Sequence, residues 1–520
     1  MLFNQLASLG LLPDKIIHVW NVTAEKERTG PFTYQSTINE LDLGYYSLLN
    51  IARSIGSVCP FRQVALDVIT SMVSRVNSGD ILNPSRTTIL GPVLTIPKEY
   101  SNILCRHVDI NTSDQLDILL NKLFKELQSA YVLPSIAYRQ VDRWTPYYEH
   151  LKLESGSHHP QKLKQCGVYL VTGGLGGIGV AISKYLANEF RAKLILTGRK
   201  SKLQVDVSEL NKIGKDIIYL EADVAAADEM EIKITEAEAI FGKIDGIFHT
   251  AGIADYAGII QNRAKEQSEA VFASKIYGTI VVNELAKSRN VDVLVLCSSM
   301  ASVAAPFGQV GYTAANIFQN SFARYLGNNV VQSIGWDTWK EGGMAVASLS
   351  SMSKQDQERQ LAFGLSDTEG IEVLKRVLAH DIPCVMVHTR NIEMLTQKAE
   401  PGLNSDQEEL KILQSRPALT ATYEGPVTDT EKSISLLFSD YFNIKEIGID
   451  DDFFELGMDS LKVMTLISRI HQKLNIQLRI NDILEHATIR DLSKSIDLMA
   501  GINQMQRKRA IMKFENKIEL

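Results

Sequence analysis

Tyr312 and Asn316 stand four residues apart in GYTAANIFQN, with Ser299 thirteen residues before the tyrosine and Lys275 thirty-seven before it. A phenol can give up a proton, and a hydroxyl can hold an oxygen on which negative charge builds. A lysine cation placed near the phenol lowers its pKa. Asn316, one helical turn beyond Tyr312, falls on the same helix face and can order Lys275 or a relay water. These four types together suit proton delivery to a carbonyl that receives hydride.

Such chemistry needs a hydride carrier, and GVYLVTGGLGGIGVAISKYLA supplies a strand, a glycine turn and a helix in that order. Glycines let the backbone approach a pyrophosphate, and the helix start offers free N–H groups and a positive dipole end. The strand-turn-helix context is what gives the glycine pattern its meaning. The expected cofactor contacts are Thr172, Gly173, Gly174, Leu175, Gly176, Gly177, Ile178 and Gly179 in this turn. Further on they are Arg199, Asp223, Val224, Ala251 and Gly252. The strand after the turn's helix ends in LTGRK, with no acid to meet a ribose 2′-hydroxyl. Arg199 and Lys200 favour a 2′-phosphate, so NADPH is expected over NADH.

The elements that must position these groups read as an alternation. GVYLVTG, KLILTGR, DIIYLEAD, IDGIFHTAG, VDVLVLCSS and PCVMVHT are apolar strands, most of them separated by helical patterns. That predicts a doubly wound parallel Rossmann-type sheet over 156–395, with the site at the carboxyl ends of its strands. Residues 1–155 read as a first α/β unit without a glycine fingerprint. There KIIHVWNV is a strand, LGYYSLLNIARSIG and FRQVALDVITSMVSRVN carry helical spacing, and LDILLNKLFKEL is a helix. LNPSRTTILGPVLTIPKEY lies between as a Pro- and Gly-punctuated stretch. Residues 396–428 are polar and Pro/Gly-marked, a linker. Residues 429–500 form a small helical bundle, with helices expected in TEKSISLLFSDYF, DSLKVMTLISRIHQKLN and TIRDLSKSIDLM. Residues 501–520 are a tail, basic in its first half.

In the bundle, FFELGMDSLK places Ser460 at the start of a predicted helix beside Asp459. A helix N-terminus suits the phosphodiester of a prosthetic arm.

Together these residues resemble the ketoreductases of modular polyketide synthases, in the short-chain dehydrogenase/reductase superfamily. The common superfamily pattern puts tyrosine and lysine on one helix as YxxxK. Here the tyrosine segment is YTAAN and the lysine lies in ASKIYGT, an exchange of Lys and Asn that marks the ketoreductases. HTAG, CSSMAS and IGWDTWKEGGM are similar to family segments, the last to a substrate lid. LNPSRTTILGPVLTIPKEY and IAYRQVDRW resemble the truncated, cofactor-free structural subdomain. The resemblance covers no ketosynthase or acyltransferase. GMDSL resembles acyl and peptidyl carrier proteins, which implies 4′-phosphopantetheine on Ser460. SRIHQKLNIQLRINDILEHATI is closer to peptidyl carriers, which implies a hybrid polyketide–nonribosomal peptide line.

The resemblance implies NADPH-dependent reduction of a β-ketoacyl thioester held on the chain's own carrier. The expected partners are a phosphopantetheinyl transferase, an upstream ketosynthase and acyltransferase, and downstream modules. An α-ketoacyl substrate and a silent reductase stay open as alternatives. Of the LDD motif of one stereochemical class, the chain keeps only the middle acid in Ala254-Asp255-Tyr256. The tryptophan of the opposite class is replaced by Ala304, and Gln309 and Ala314 stand where epimerising subtypes have His and Pro. A D-hydroxyl product is expected.

Composition excludes other classes. A net charge of −7 over 520 residues argues against nucleic acid as partner. Five scattered cysteines without a CxxC pair argue against a disulfide framework or zinc ribbon, and fit a reducing cytoplasm. No apolar run reaches membrane-spanning length, so no membrane partner is expected.

Overall fold

The computed structural model describes residues 2–389 except 24–32, 61, 154–161, 256, 345 and 347–360. From 416 onward it describes 416–417, 419, 421–442, 444–453, 455–456, 466–467, 469–470, 473–474, 476, 478, 482–483, 486–499 and 501. The chain forms two compact units, 1–399 and 400–520.

Unit one holds two sheets. The first runs β1 (Lys15–Asn21), β2 (Val64–Ser71), β3 (Ile103–Ile110), β4 (Ser135–Arg139) and β5 (Asp142–Trp144) in spatial order, parallel except for β5. FRQVALDVITSMVSRVN is thus not helical: its centre is β2, and β3 to β5 also went unread as strands. β2 is buried along nearly its whole length. A strand buried on both faces is apolar at every position, and such a run satisfies helical spacing as easily as strand spacing. The Pro- and Gly-punctuated stretch folds into two helices, Pro84–Thr87 and Leu90–Glu99. Pro84 opens the first of them, where no N–H is needed.

The carboxyl end of this sheet is closed by its own side chains. The backbone N–H groups of Val73 and Ser74, just after β2, donate to the Asp109 carboxylate at 3.0 and 3.1 Å. Arg139 donates to the same carboxylate at 2.8 Å. Donors that would face a phosphate in a nucleotide-binding sheet are already satisfied here.

The second sheet has seven parallel strands in the order β12-β11-β10-β9-β6-β7-β8. They are β6 (Val168–Thr172), β7 (Lys193–Gly198), β8 (Ile217–Glu221), β9 (Gly246–His249), β10 (Val293–Ser299), β11 (Val331–Trp336) and β12 (Cys384–Met386). The order reverses between β6 and β9, and a Rossmann sheet binds its ligand at that switch point. β11 was not among the six strands read from sequence. Gln332, Ser333 and Gly335 dilute its apolar pattern. They are tolerated because Gln332 donates to the carbonyls of Val377, His380 and Ile382, and Ser333 to Asn320.

One apolar core spans both sheets, running from Ile55 and Val93 in the first half through Phe272 to Ala314 and Phe318. The halves touch most closely where the Leu90–Glu99 helix meets the Val310–Leu326 helix. A Cβ on Gly91 would come within 2.6 Å of the Ala314 Cβ, so only glycine fits.

In unit two, Asp429–Phe442 and 489–499 are helical, as the sequence predicts. Ile434, Phe438, Phe453, Leu466, Ile489 and Leu492 share its core. Arg416 pairs with the buried Asp451, which also accepts the Gly448 N–H at 2.7 Å. Ser460, Asp459 and much of the second predicted helix lie outside the described residues. No described helix is long and apolar enough to cross a membrane.

Candidate active site

The glycine turn leaves β6 with Gly173 at φ +66°, a left-handed conformation. A Cβ there would strike the Ala251 backbone at 2.8 Å, and one on Gly179 would meet the Gly173 carbonyl at 2.5 Å. The turn is therefore folded tightly against its own helix start, with the Gly177–Phe190 helix pointing its N-terminus into a cleft. That cleft, about 280 Å³, is walled by the turn, by Arg199, by Asp223 and Val224, and by Ala251 and Gly252. Gly343 and Met344 close it on one side. A dinucleotide fits this cradle: glycine backbone and helix dipole for the pyrophosphate, and a cation at the end of β7. Arg199 is exposed and has no ion pair among the described residues.

Two expected contacts do not line the cleft. The Thr172 hydroxyl is buried against His249 Nδ1 at 2.7 Å. Gly174 packs on Leu196, which a Cβ would meet at 2.9 Å. Both shape the turn from behind. His249 Nε2 lies 3.0 Å from the Ser274 carbonyl, which only accepts, so Nε2 carries the proton and Nδ1 accepts from Thr172. Burial, with the Lys275 charge adding to it, pushes His249 down to about 3, so the ring is neutral.

His249 thereby holds the segment that bears Lys275. Lys275 sits in a π-helical turn, Ala273–Tyr277, between the Lys265–Phe272 and Gly278–Arg289 helices. Such single-turn bulges re-aim a side chain and recur at functional sites. Gly278 permits the close approach, since a Cβ would reach Val224 at 2.8 Å and His249 at 3.2 Å. The Lys275 ammonium is buried, 2% exposed. It donates to the Cys297 carbonyl at 2.8 Å and to Gln319 Oε1 at 3.1 Å. Burial lowers its pKa to about 8.

Tyr312 begins its third residue into the Val310–Leu326 helix, and the Lys275 Nζ lies 5.5 Å from its ring centroid. Burial raises the phenol pKa, while Ser299 and Asn316, both within hydrogen-bonding reach, pull it back. Ser299 ends β10, and its Oγ accepts the Ala301 N–H at 3.1 Å. Asn316 Nδ2 donates to the Tyr312 carbonyl at 2.7 Å, and its buried Oδ1 has no partner among the described residues. All four expected catalytic side chains thus surround one spot beside the nucleotide cleft.

Of the two roles open to Asn316, ordering Lys275 or a relay water, the first is taken by Gln319, which accepts from the Lys275 ammonium. Gln319 Nε2 in turn donates to Thr279 Oγ1 at 3.1 Å. A signal for it was present: Gln319 lies seven residues after Tyr312 and three after Asn316, on the same helix face. Asp255 and Arg263 also went unread as a pair. They form a buried ion pair at 2.7 Å, and the second Asp255 oxygen accepts the Tyr312 N–H at 3.0 Å.

Residues 167–341 match the KR domain family, and residues 434–496 match the phosphopantetheine attachment site family. Residues 1–126 match a family described as β-ketoacyl synthase-like, N-terminal. The two cysteines in that span, Cys59 and Cys105, are buried and their thiols are pushed up by burial, the reverse of what a thiolate nucleophile needs.

Among curated proteins, the polyketide synthase PksM of Bacillus subtilis is 32% identical over 270 residues, 51% of this chain and 6% of PksM. PksN of the same organism is 26% identical over 408 residues, 75% of this chain and 7% of PksN. The chain spans less than a tenth of either.

Among solved structures, an N-terminal ketoreductase from the macrolactin assembly line aligns with TM-score 0.57 at 23% identity. It covers 74% of this chain and 75% of that one. A multidomain structure with adenylation, ketoreductase and pseudo Asub parts, from a keto acid-selecting NRPS module, aligns with TM-score 0.66 at 24% identity. It covers 81% of this chain and 35% of that one. One segment of the chain thus matches the KR domain family and a later one the phosphopantetheine-attachment family, and both PksM and PksN are polyketide synthases.

Proposed function

We propose that this pairing of KR and carrier domains reduces a β-ketoacyl thioester, tethered to the arm on Ser460, to the β-hydroxyacyl thioester. The observation that carries the reading is the convergence of Lys275, Ser299, Tyr312 and Asn316 beside a glycine-walled cleft. NADPH, when bound there, supplies the hydride. Its 2′-phosphate would meet Arg199, and its pyrophosphate the turn from Gly173 to Gly179. Ser299 holds the substrate carbonyl oxygen as negative charge builds on it. Tyr312 passes its phenolic proton to that oxygen, and the nearby Lys275 cation favours the phenolate left behind. Gln319 and the Cys297 carbonyl keep the ammonium beside the ring.

Tethering sets the effective substrate concentration in about the millimolar range, so weak affinity between the two units suffices. A phosphopantetheinyl transferase would load the arm. An upstream ketosynthase and acyltransferase would supply the ketoacyl chain, and downstream modules would take the product. The surviving Asp255 of the LDD pattern favours the D-hydroxyl product, which chiral chromatography of the hydrolysed acid reads directly.

A second reading, an α-ketoacyl substrate, is favoured by the peptidyl-carrier resemblance of residues 468–489. Purified protein offered small β-keto and α-keto thioesters with NADPH separates the two by which one drives NADPH consumption. Tyr312→Phe should lower the preferred rate by about 10² to 10⁴ while nucleotide binding persists. Near-normal turnover by this variant would reject Tyr312 as proton donor. Consumption with neither thioester would leave a carrier with a silent reductase.

A further inference from the structure

Ser299 ends a strand and Tyr312 starts a helix, and the connection between them decides whether their oxygens can share one carbonyl. That connection is strained. Ala305, without glycine's freedom, sits at φ +41°, and Gly308 at φ +74°. Left-handed backbone at a non-glycine residue is disfavoured and persists only where its surroundings hold it.

What holds it comes from the half without a nucleotide site. The Leu90–Glu99 helix ends in two adjacent titratable side chains, Lys98 and Glu99. The Lys98 ammonium donates to the carbonyls of Ala304 and Ala305. The Glu99 carboxylate accepts the Gly308 N–H at 3.0 Å and the Ile260 N–H at 2.6 Å. One side chain grips the connection by its carbonyls and the next by an N–H.

A second link runs from the same grip to the tyrosine. Arg263 donates to the Gly308 carbonyl at 3.0 Å, to the Gly258 carbonyl at 3.2 Å and to Asp255 at 2.7 Å. Asp255 accepts the Tyr312 N–H at 3.0 Å. No side chain of the helix's own N-cap, Gln309, does this. The fit is close: a Cβ on Gly311 would meet Arg263 at 3.0 Å and Asp255 at 3.1 Å.

We propose that Lys98 and Glu99 are positioning residues for Tyr312: they fix the 304–308 connection and, through Arg263 and Asp255, the first turn of the tyrosine's helix. The half without a nucleotide site thus sets the geometry of the chemical step without touching substrate. This rests on the ketoreductase reading for its kinetic consequence, though not for its structural one.

The test uses Lys98→Met, which keeps the apolar stem and removes the donors, and Lys98→Arg, which restores donors. Lys98 lies at the surface, so neither change empties the core. The full chain is labelled with 3-fluorotyrosine, and the Tyr312 ¹⁹F resonance is identified by its loss in Tyr312→Phe. Lys98→Met should move that resonance, and Lys98→Arg should return it. With a small β-keto thioester, Lys98→Met should lower kcat about tenfold, as expected for a displaced catalytic group. The KM for NADPH should stay within about twofold, and Lys98→Arg should recover kcat. An unmoved Tyr312 resonance in Lys98→Met overturns the proposal whatever the activity. So does a moved resonance that Lys98→Arg fails to restore. If the parent protein reduces no thioester while the resonance responds as expected, the ketoreductase reading fails and the positioning role stands.

Discussion

The Lys275 ammonium lies 5.5 Å from the centre of the Tyr312 ring, and its hydrogen bonds among the described residues go elsewhere, to the Cys297 carbonyl and Gln319. In the proposed mechanism it acts on the phenol by charge rather than by a hydrogen bond, and that influence lasts only while it is protonated.

Burial has lowered its pKa from 10.5 to about 8. The Tyr312 pKa is shifted upward by burial, so the phenol keeps its proton at neutral pH. The alkaline limb of kcat/KM should therefore report the lysine, falling above about pH 8. A free-enzyme profile flat to pH 10 would contradict the charge mechanism. Stability runs the opposite way. Between about 8 and 10.5 the unfolded chain binds the proton that the folded lysine has lost, so this group adds stability as pH rises through that window. Lys275→Met should raise the melting temperature of the nucleotide-free protein at pH 7, and the gain should shrink toward pH 10.5.

Gln319→Leu removes one of the acceptors that favour the charged lysine. A hydrogen bond to a charged group is worth about 1.5–3 kcal/mol, or about one to two pKa units. The alkaline limb should move down by about one unit, and activity lost at pH 7.5 should return near pH 6. A uniform loss at every pH would mean that Gln319 only packs.

Arg199→Ala should weaken NADPH binding and leave NADH nearly unchanged. The guanidinium is exposed at the end of β7 with no ion pair among the described residues, so removing it breaks no such pair. Fluorescence titration of both nucleotides checks this. Equal affinities in the unmodified protein would refute the 2′-phosphate assignment.

The legible parts of the sequence were those where a residue's type dictates its setting. Glycines in a strand-turn-helix context placed the cleft, and the spacing of Lys275, Ser299, Tyr312 and Asn316 named four side chains that the structure brings together. β2 was misread because a strand buried on both faces has no polar face to reveal its period. β11 was missed because Gln332 and Ser333 look solvated until the carbonyls they satisfy are seen. Gln319, Lys98 and Glu99 act through partners far away in sequence. Glu99 reaches Gly308 across more than two hundred residues, and no local pattern encodes that.

The carrier reading can be separated from the reductase reading in one variant. Ser460→Ala removes only a hydroxyl, from a unit with its own apolar core built on Ile434, Phe438, Phe453 and Leu492. The proposed reductase chemistry draws on Lys275, Ser299, Tyr312, Asn316 and the cleft, all within 1–399. Intact-mass measurement after treatment with a phosphopantetheinyl transferase and coenzyme A should show one added arm on the parent chain and none on Ser460→Ala. The variant should still reduce a diffusible β-keto thioester at the parent rate, because a free substrate does not need the arm. Transfer from a preloaded carrier should be absent in it. An arm on the variant would place the attachment site elsewhere. A collapse of its activity toward the diffusible thioester would show that the two units do not work as separable machines.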